Sequence, residues 1–178
     1  TEAYNDDINS EKKGIYSNSR QATLFVFPDK SYGEEGFNKY IDKRTNPKTK
    51  KINFGLNINM KKLFSGDTEN KLQTLSRFSS KYTISIANIL EARKQNKSVF
   101  VYCEFVQGSG AILFASLLEQ FGFTQATGTE GVNSFGPRYA IITNLTSTTT
   151  KTKKHTSDDK TNRPEPQYQS SFPWRRRF

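Results

Sequence analysis

Ser98-Val99-Phe100-Val101-Tyr102-Cys103 is a short, continuous apolar run bounded by Lys97 and Glu104. Glu104-Phe105-Val106-Gln107-Gly108-Ser109-Gly110 follows it, and then a stretch from Ala111 to Phe121 that is apolar nearly all round, with Gly122 behind it. The first run has the length and composition of a strand buried on both faces. The Gly-rich loop opens a helix, and Gly122 stands where a C′ glycine ends one. Further on, Arg138-Tyr139-Ala140-Ile141-Ile142-Thr143 reads as a second buried strand. Strand, helix and strand in this order predict a parallel βαβ crossover, with residues 98–103 beside 138–143. Parallel neighbours require such a covering connection, so the fold class is α/β.

On the N-terminal side of this unit, Phe78, Tyr82, Ile86, Ile89 and Leu90 recur at spacings that place them on one face of a helix. Ser79 or Ser80 supplies its N-cap oxygen. Leu24-Phe25-Val26-Phe27 reads as a short strand stopped by Pro28 and Asp29. Residues 32–41, with Phe37, Tyr40 and Ile41, predict one helical turn, and Asp42 to Lys51, with Pro47, an exposed loop. Residues 1–18 are polar and expected to be irregular. Beyond Leu145 the chain turns Thr/Ser/Lys-rich, with Pro164 and Pro166, and is expected to be disordered unless a partner orders it. Three regions result: an irregular linker with a short strand over 1–70, an α/β unit over 71–147, and a basic tail over 148–178, the outer regions being extended arms. A chain opening at Thr1 without Met is expected to come from a longer parent.

Hydrophobic residues make up 33% of the chain, below the roughly 45–50% usual for globular domains, so a core is expected only where they concentrate. The net charge of +10 is uneven: residues 41–62 hold seven Lys/Arg against one Asp, and residues 151–178 hold eight against three acids. Basic segments of this kind favour phosphate backbones or acidic protein surfaces through counterion release; the plainer reading is that they keep flexible segments solvated. The single cysteine, Cys103, excludes an internal disulfide and fits a reducing compartment. No stretch approaches the roughly 18 apolar residues of a membrane span, and no membrane partner is expected.

Most sites of chemistry fail on the residues. Gly108-Ser109-Gly110 lies between strand and helix, the context for an anion at a helix N-terminus. A phosphate-binding loop of the Walker type ends in Gly-Lys-Ser/Thr, whereas Ala111-Ile112 follows here. Phe114 stands near where a dinucleotide fingerprint needs its last glycine. His155, the only histidine, lies in the tail, and Cys103 reads as a packed thiol at a strand end. No catalytic residue, metal site or cofactor is therefore expected in this chain. At the C terminus, Phe172, Trp174, Arg175, Arg176 and Arg177 mix aromatics with arginines. They can stack on bases, or dock the tail into a pocket of another subunit; docking is the preferred reading, since Trp and Arg are favoured interface anchors.

Several of these segments together resemble a family. Ser19-Arg20-Gln21-Ala22, Phe25-Val26-Phe27-Pro28-Asp29 and Ser31-Tyr32-Gly33 through Gly36-Phe37 resemble a segment of superfamily 2 helicases of large DNA viruses, relatives of the poxvirus early-transcription-factor ATPase and nucleoside triphosphatase. In that group the segment lies between two RecA-like lobes. Ser79-Ser80-Lys81-Tyr82, Val99 through Val106, Gly108-Ser109-Gly110 and Leu117 through Phe123 look like the opening of the second lobe, with the strand and loop matching motif IV. Tyr139 through Thr143 with Thr146-Ser147 matches the next strand and loop.

The resemblance covers about residues 19–147 and makes residues 71–147 a partial second RecA-like lobe. It implies that Glu104, Phe105, Ser109, Thr146 and Ser147 line a nucleic-acid path, DNA or RNA. ATP and Mg²⁺ are implied for a full parent helicase only. The Walker motifs of the first lobe and the later arginine-finger motif are absent from this sequence, and the basic tail has no counterpart. The implied role is a fragment of an ATP-dependent helicase or transcription ATPase, in virion or host cytoplasm, beside other virion or transcription proteins. The alternative is a non-enzymatic virion component that retains a helicase-derived segment.

Overall fold

The computed structural model describes residues 16–45, 47, 52–126 and 136–143. All of them fall in the first of two units into which the chain divides, 1–147 and 148–178. In order, the elements are α1 (Ser17–Leu24), α2 (Gly33–Tyr40), β1 (Ile41–Thr45), β2 (Ile52–Leu56), α3 (Ile58–Leu63), α4 (Thr68–Ser76), α5 (Ser80–Lys94), α6 (Ala111–Gln120), β3 (Thr124–Gln125) and β4 (Arg138–Tyr139). The class is mixed α/β, with a parallel strand pair.

Three of the six described helices, α3, α4 and α5, begin where a side chain replaces a missing backbone acceptor. Asn57 Oδ1 accepts from Met60 N at 2.8 Å to open α3, and Asp67 Oδ1 accepts from Asn70 N at 2.9 Å to open α4. Ser79 Oγ accepts from Tyr82 N at 3.0 Å to open α5. The periodic positions of α5 then point inward: Tyr82, Ile86 and Ile89 are buried. Helix α6 buries seven consecutive residues, Ile112 to Leu118, and ends before Gly122 at φ +84°. Its last turn also receives a cation, since Lys71 Nζ donates to Gln120 O at 2.8 Å.

One core joins these elements. Phe25 and Phe27, in the extended segment after α1, pack edge-to-face at 5.0 Å. Phe25 continues to Tyr82 at 6.0 Å, and Tyr82 meets Phe114 of α6 at 4.9 Å. Aromatic pairs of this geometry contribute about 0.5–1.5 kcal/mol each beyond the area they bury. Phe27 stacks on Tyr40, and a Cβ on Gly36 would lie 2.0 Å from the Phe27 ring, so α2 sits against that ring only because residue 36 has no side chain.

The structure differs from the expectations at several points. The described residues before 70 include α1, α2, α3 and a hairpin, and share the core with α5 and α6. The expected strand over 24–27 is reduced to one antiparallel bridge, Val26↔Tyr32, with Leu24 still helical. The expected exposed loop over 42–51 instead carries β1, paired antiparallel with β2 from Ile41↔Leu56 to Thr45↔Ile52. The parallel pair joins Thr124↔Arg138 and Gln125↔Tyr139, and does not involve residues 98–103. That run belongs to no strand, and Phe100 and Tyr102 are 86% and 79% exposed. An apolar strand is buried only when sheet neighbours flank it, and the described residues supply none.

Candidate nucleic-acid interface

Three of the five residues proposed for a nucleic-acid path, Glu104, Phe105 and Ser109, sit in the loop that leads into α6. This loop satisfies the helix terminus from within. Ala111 N donates to Phe105 O at 2.8 Å, Ile112 N to Val106 O at 3.0 Å, and Gly110 N to Gln107 O at 3.1 Å. These three N–H groups, which would otherwise greet an anion, already have partners. The glycines serve the same closure: a Cβ on Gly110 would lie 2.1 Å from Phe105 O, and Gly108 has φ +64° with Gln21 Oε1 2.0 Å from where its Cβ would be.

Ser109 is completely buried and ties the loop to two distant segments. Its Oγ donates to Phe25 O at 3.0 Å and accepts from Gly33 N at 3.2 Å, while its own N–H donates to Gln21 Oε1 at 3.2 Å. Tyr82 Oη donates to Ser109 O. Burial, reinforced by Cys103 beside it, pushes the Tyr82 phenol well above its ordinary range, so it stays a donor. Glu104 and Phe105 form the outer edge of the same loop. The Arg20 guanidinium pairs with the Glu104 carboxylate and lies 5.2 Å from the centre of the Phe105 ring.

The structure thus brings Glu104, Phe105 and Ser109 together with Arg20, Gln21 and Gly33, which composition alone did not single out. Their signal lay in Ser19-Arg20-Gln21-Ala22 and Tyr32-Gly33, segments quoted above for the resemblance. Thr146, Ser147, Phe172, Trp174, Arg175, Arg176 and Arg177 lie outside the described residues. Among the described residues, no group of three His, Cys, Asp or Glu is placed to hold a metal ion, and no helix is long and apolar enough to cross a membrane.

No family model and no solved structure matches the chain. Similar sequences are found among viral proteins. One, named "Putative helicase 087L" in Invertebrate iridescent virus 3, is 35% identical over 146 residues, which is 81% of this chain and 13% of that protein. A second, named "Putative ATP-dependent RNA helicase" in Heliothis virescens ascovirus 3e, is 32% identical over 117 residues, 65% of this chain and 12% of that protein. A third, "Putative helicase 009L" of Frog virus 3, is 28% identical over 137 residues, 77% of this chain and 11% of that protein. The chain therefore spans between a tenth and a seventh of the length of these relatives. It is related to proteins of large DNA viruses that carry the name of helicases.

Proposed function

We propose that this chain is a segment of a viral superfamily 2 helicase or transcription ATPase, comprising an inter-lobe segment and the opening of the second RecA-like lobe. The observation that carries this reading is the alignment itself. Helicase-named relatives from three viruses match 65–81% of the chain, yet the chain spans only 11–13% of them. In this reading the ATP-hydrolysing groups and Mg²⁺ belong to other parts of the parent polypeptide, and this segment supplies structure on the nucleic-acid side. Glu104 and Phe105, held by Arg20, form the rim that faces the strand. Ser109 acts from behind it, as the anchor that keeps the loop on α1 and α2. The parent works in the virion or the host cytoplasm, beside other virion or transcription proteins.

The test uses the complete viral reading frame that contains this sequence. Its product is expected to hydrolyse ATP in a Mg²⁺- and nucleic-acid-dependent way, and the 178-residue chain alone to show no turnover. A frame without an upstream Gly-Lys-Ser/Thr loop, whose product is inert toward ATP, overturns the reading and leaves a non-enzymatic virion component.

A further inference from the structure

Cations on this surface divide into neutralised and free ones. Arg20 is paired with Glu104, Lys39 with Asp29 and Glu35, Lys94 with Glu91, and Arg44 with Asp42 at 3.6 Å. Of the exposed cations that form no ion pair among the described residues, Lys30, Arg77, Lys81, Arg93 and Lys97 lie elsewhere along the chain, while Lys43, Lys61 and Lys62 belong to one basic segment. All three fall within residues 41–62, which carry seven Lys/Arg and one acid, so the only carboxylate of the segment is already engaged.

The segment carries β1, β2 and α3, held at a buried base. At the base, Ile41 and Leu56 face each other in register and are buried, and β2 packs on α6. Phe54 packs against Phe37 at 5.9 Å. Asn57 closes the base: its N–H donates to Tyr40 O at 2.9 Å, its Nδ2 donates to Lys39 O at 2.8 Å, and its Oδ1 caps α3. Away from the base, Lys43, Arg44, Thr45, Ile52 and Asn53 are all exposed. Unpaired cations on β1 and on α3 of a held module suit an extended polyanion; they are spread along the chain, where a single phosphate needs donors that converge.

We propose that the β1–β2 hairpin with the Lys61–Lys62 end of α3 is an arm that binds the phosphate backbone of nucleic acid without reading its sequence. The choice of nucleic acid over an acidic protein surface rests on the helicase reading given above. The arm holds the strand through Lys43, Lys61 and Lys62, while its buried base fixes it to the same core that carries the Glu104–Ser109 loop. Contacts to phosphate position a strand and release its counterions, so this arm confers affinity and salt dependence.

The test compares the full chain with the triple variant Lys43→Ser, Lys61→Ser, Lys62→Ser, and with Lys81→Ser, Lys94→Ser, Lys97→Ser, which removes the same charge elsewhere. Binding of a fluorescent single-stranded oligonucleotide is followed by anisotropy across a salt series. The hairpin triple is expected to lower the slope of log K against log salt by about 2, and to weaken binding roughly 100-fold near 0.1 M salt. The control triple is expected to change the slope by less than about 1. Binding by the unmodified chain with equal losses in both triples overturns the arm and leaves the helicase reading standing. No binding at low salt by the unmodified chain overturns both. Displacement by polyglutamate as effectively as by unlabelled oligonucleotide, charge for charge, overturns nucleic acid as the occupant in favour of an acidic protein surface.

Discussion

Two buried serines of this chain should differ sharply in what the same substitution costs. Ser109 and Ser116 are 0% and 2% exposed. Ser109 Oγ is a bridge between segments far apart in sequence, donating to Phe25 O and accepting from Gly33 N. Ser109→Ala strands a buried carbonyl and a buried N–H, neither of which water can reach without opening the core. Each unsatisfied group costs about 1–3 kcal/mol, and partial relaxation brings the pair to about 2–4 kcal/mol. Ser116 Oγ donates at 2.9 Å to Ile112 O, a carbonyl of its own helix one turn back. In an α-helix that carbonyl already accepts a backbone N–H, so the hydroxyl is a second donor. Ser116→Ala therefore leaves no group orphaned, gains helix propensity, and should change stability by less than about 0.5 kcal/mol. The assay is thermal unfolding of the full chain followed by far-UV circular dichroism. At about 4 °C per kcal/mol for a domain of this size, Ser109→Ala should lower the midpoint by about 8–16 °C and Ser116→Ala by no more than about 2 °C. Equal shifts in the two variants would refute the claim that Ser109 joins the loop to α1 and α2.

Two further outcomes follow from the same packing. Gly36→Ala places a methyl 2.0 Å from the Phe27 ring and should cost about 1–3 kcal/mol in urea unfolding, whereas Gly55→Ala, with nothing within 4 Å, should be silent; equal stability of the two would contradict the contact of α2 with that ring. The Ser31 hydroxyl, helped by Lys39, holds the Asp29 carboxyl at about 2, below its ordinary 3.8. The ionised form is thus the stabilised one, so its contribution is present above about pH 4 and fades as pH falls toward 2. Asp29→Ala should lower the urea midpoint at neutral pH, with the gap from the unmodified chain closing over that acid range; a gap that stays constant with pH would exclude this linkage.

The elements that were legible are those in which sequence pattern and burial coincide. Helix α5 has an apolar stripe and a capping Ser79, and α6 is apolar throughout with Gly122 behind it. Helix α1 buries none of its residues, so no stripe announces it. Among its described residues the hairpin buries only Ile41 and Leu56 at its base, and the basic sequence between the strands reads as a loop. Asn57 and Asp67 cap α3 and α4, but each helix buries a single residue, Met60 and Leu75, too little for a periodicity. Residues 98–103 were misread for the opposite reason: an apolar run records the surroundings a segment requires, which need not be present in the stretch of chain described. Of the candidate site, the Glu104–Ser109 loop was visible in sequence, while its clamp by Arg20 and Gln21 joins positions more than eighty residues apart.

That unpaired run has a consequence for handling the molecule. Val99-Phe100-Val101-Tyr102 combines high β-propensity with no charge and no proline, and its four residues are exposed and belong to no strand. Such a segment is its own best template, because a second copy offers the same hydrogen-bonding groups and interdigitating rings. Concentration thus sets a race between monomer and cross-strand assembly. A lysine at Val101 would act as a gatekeeper that slows the assembly without touching the folded core.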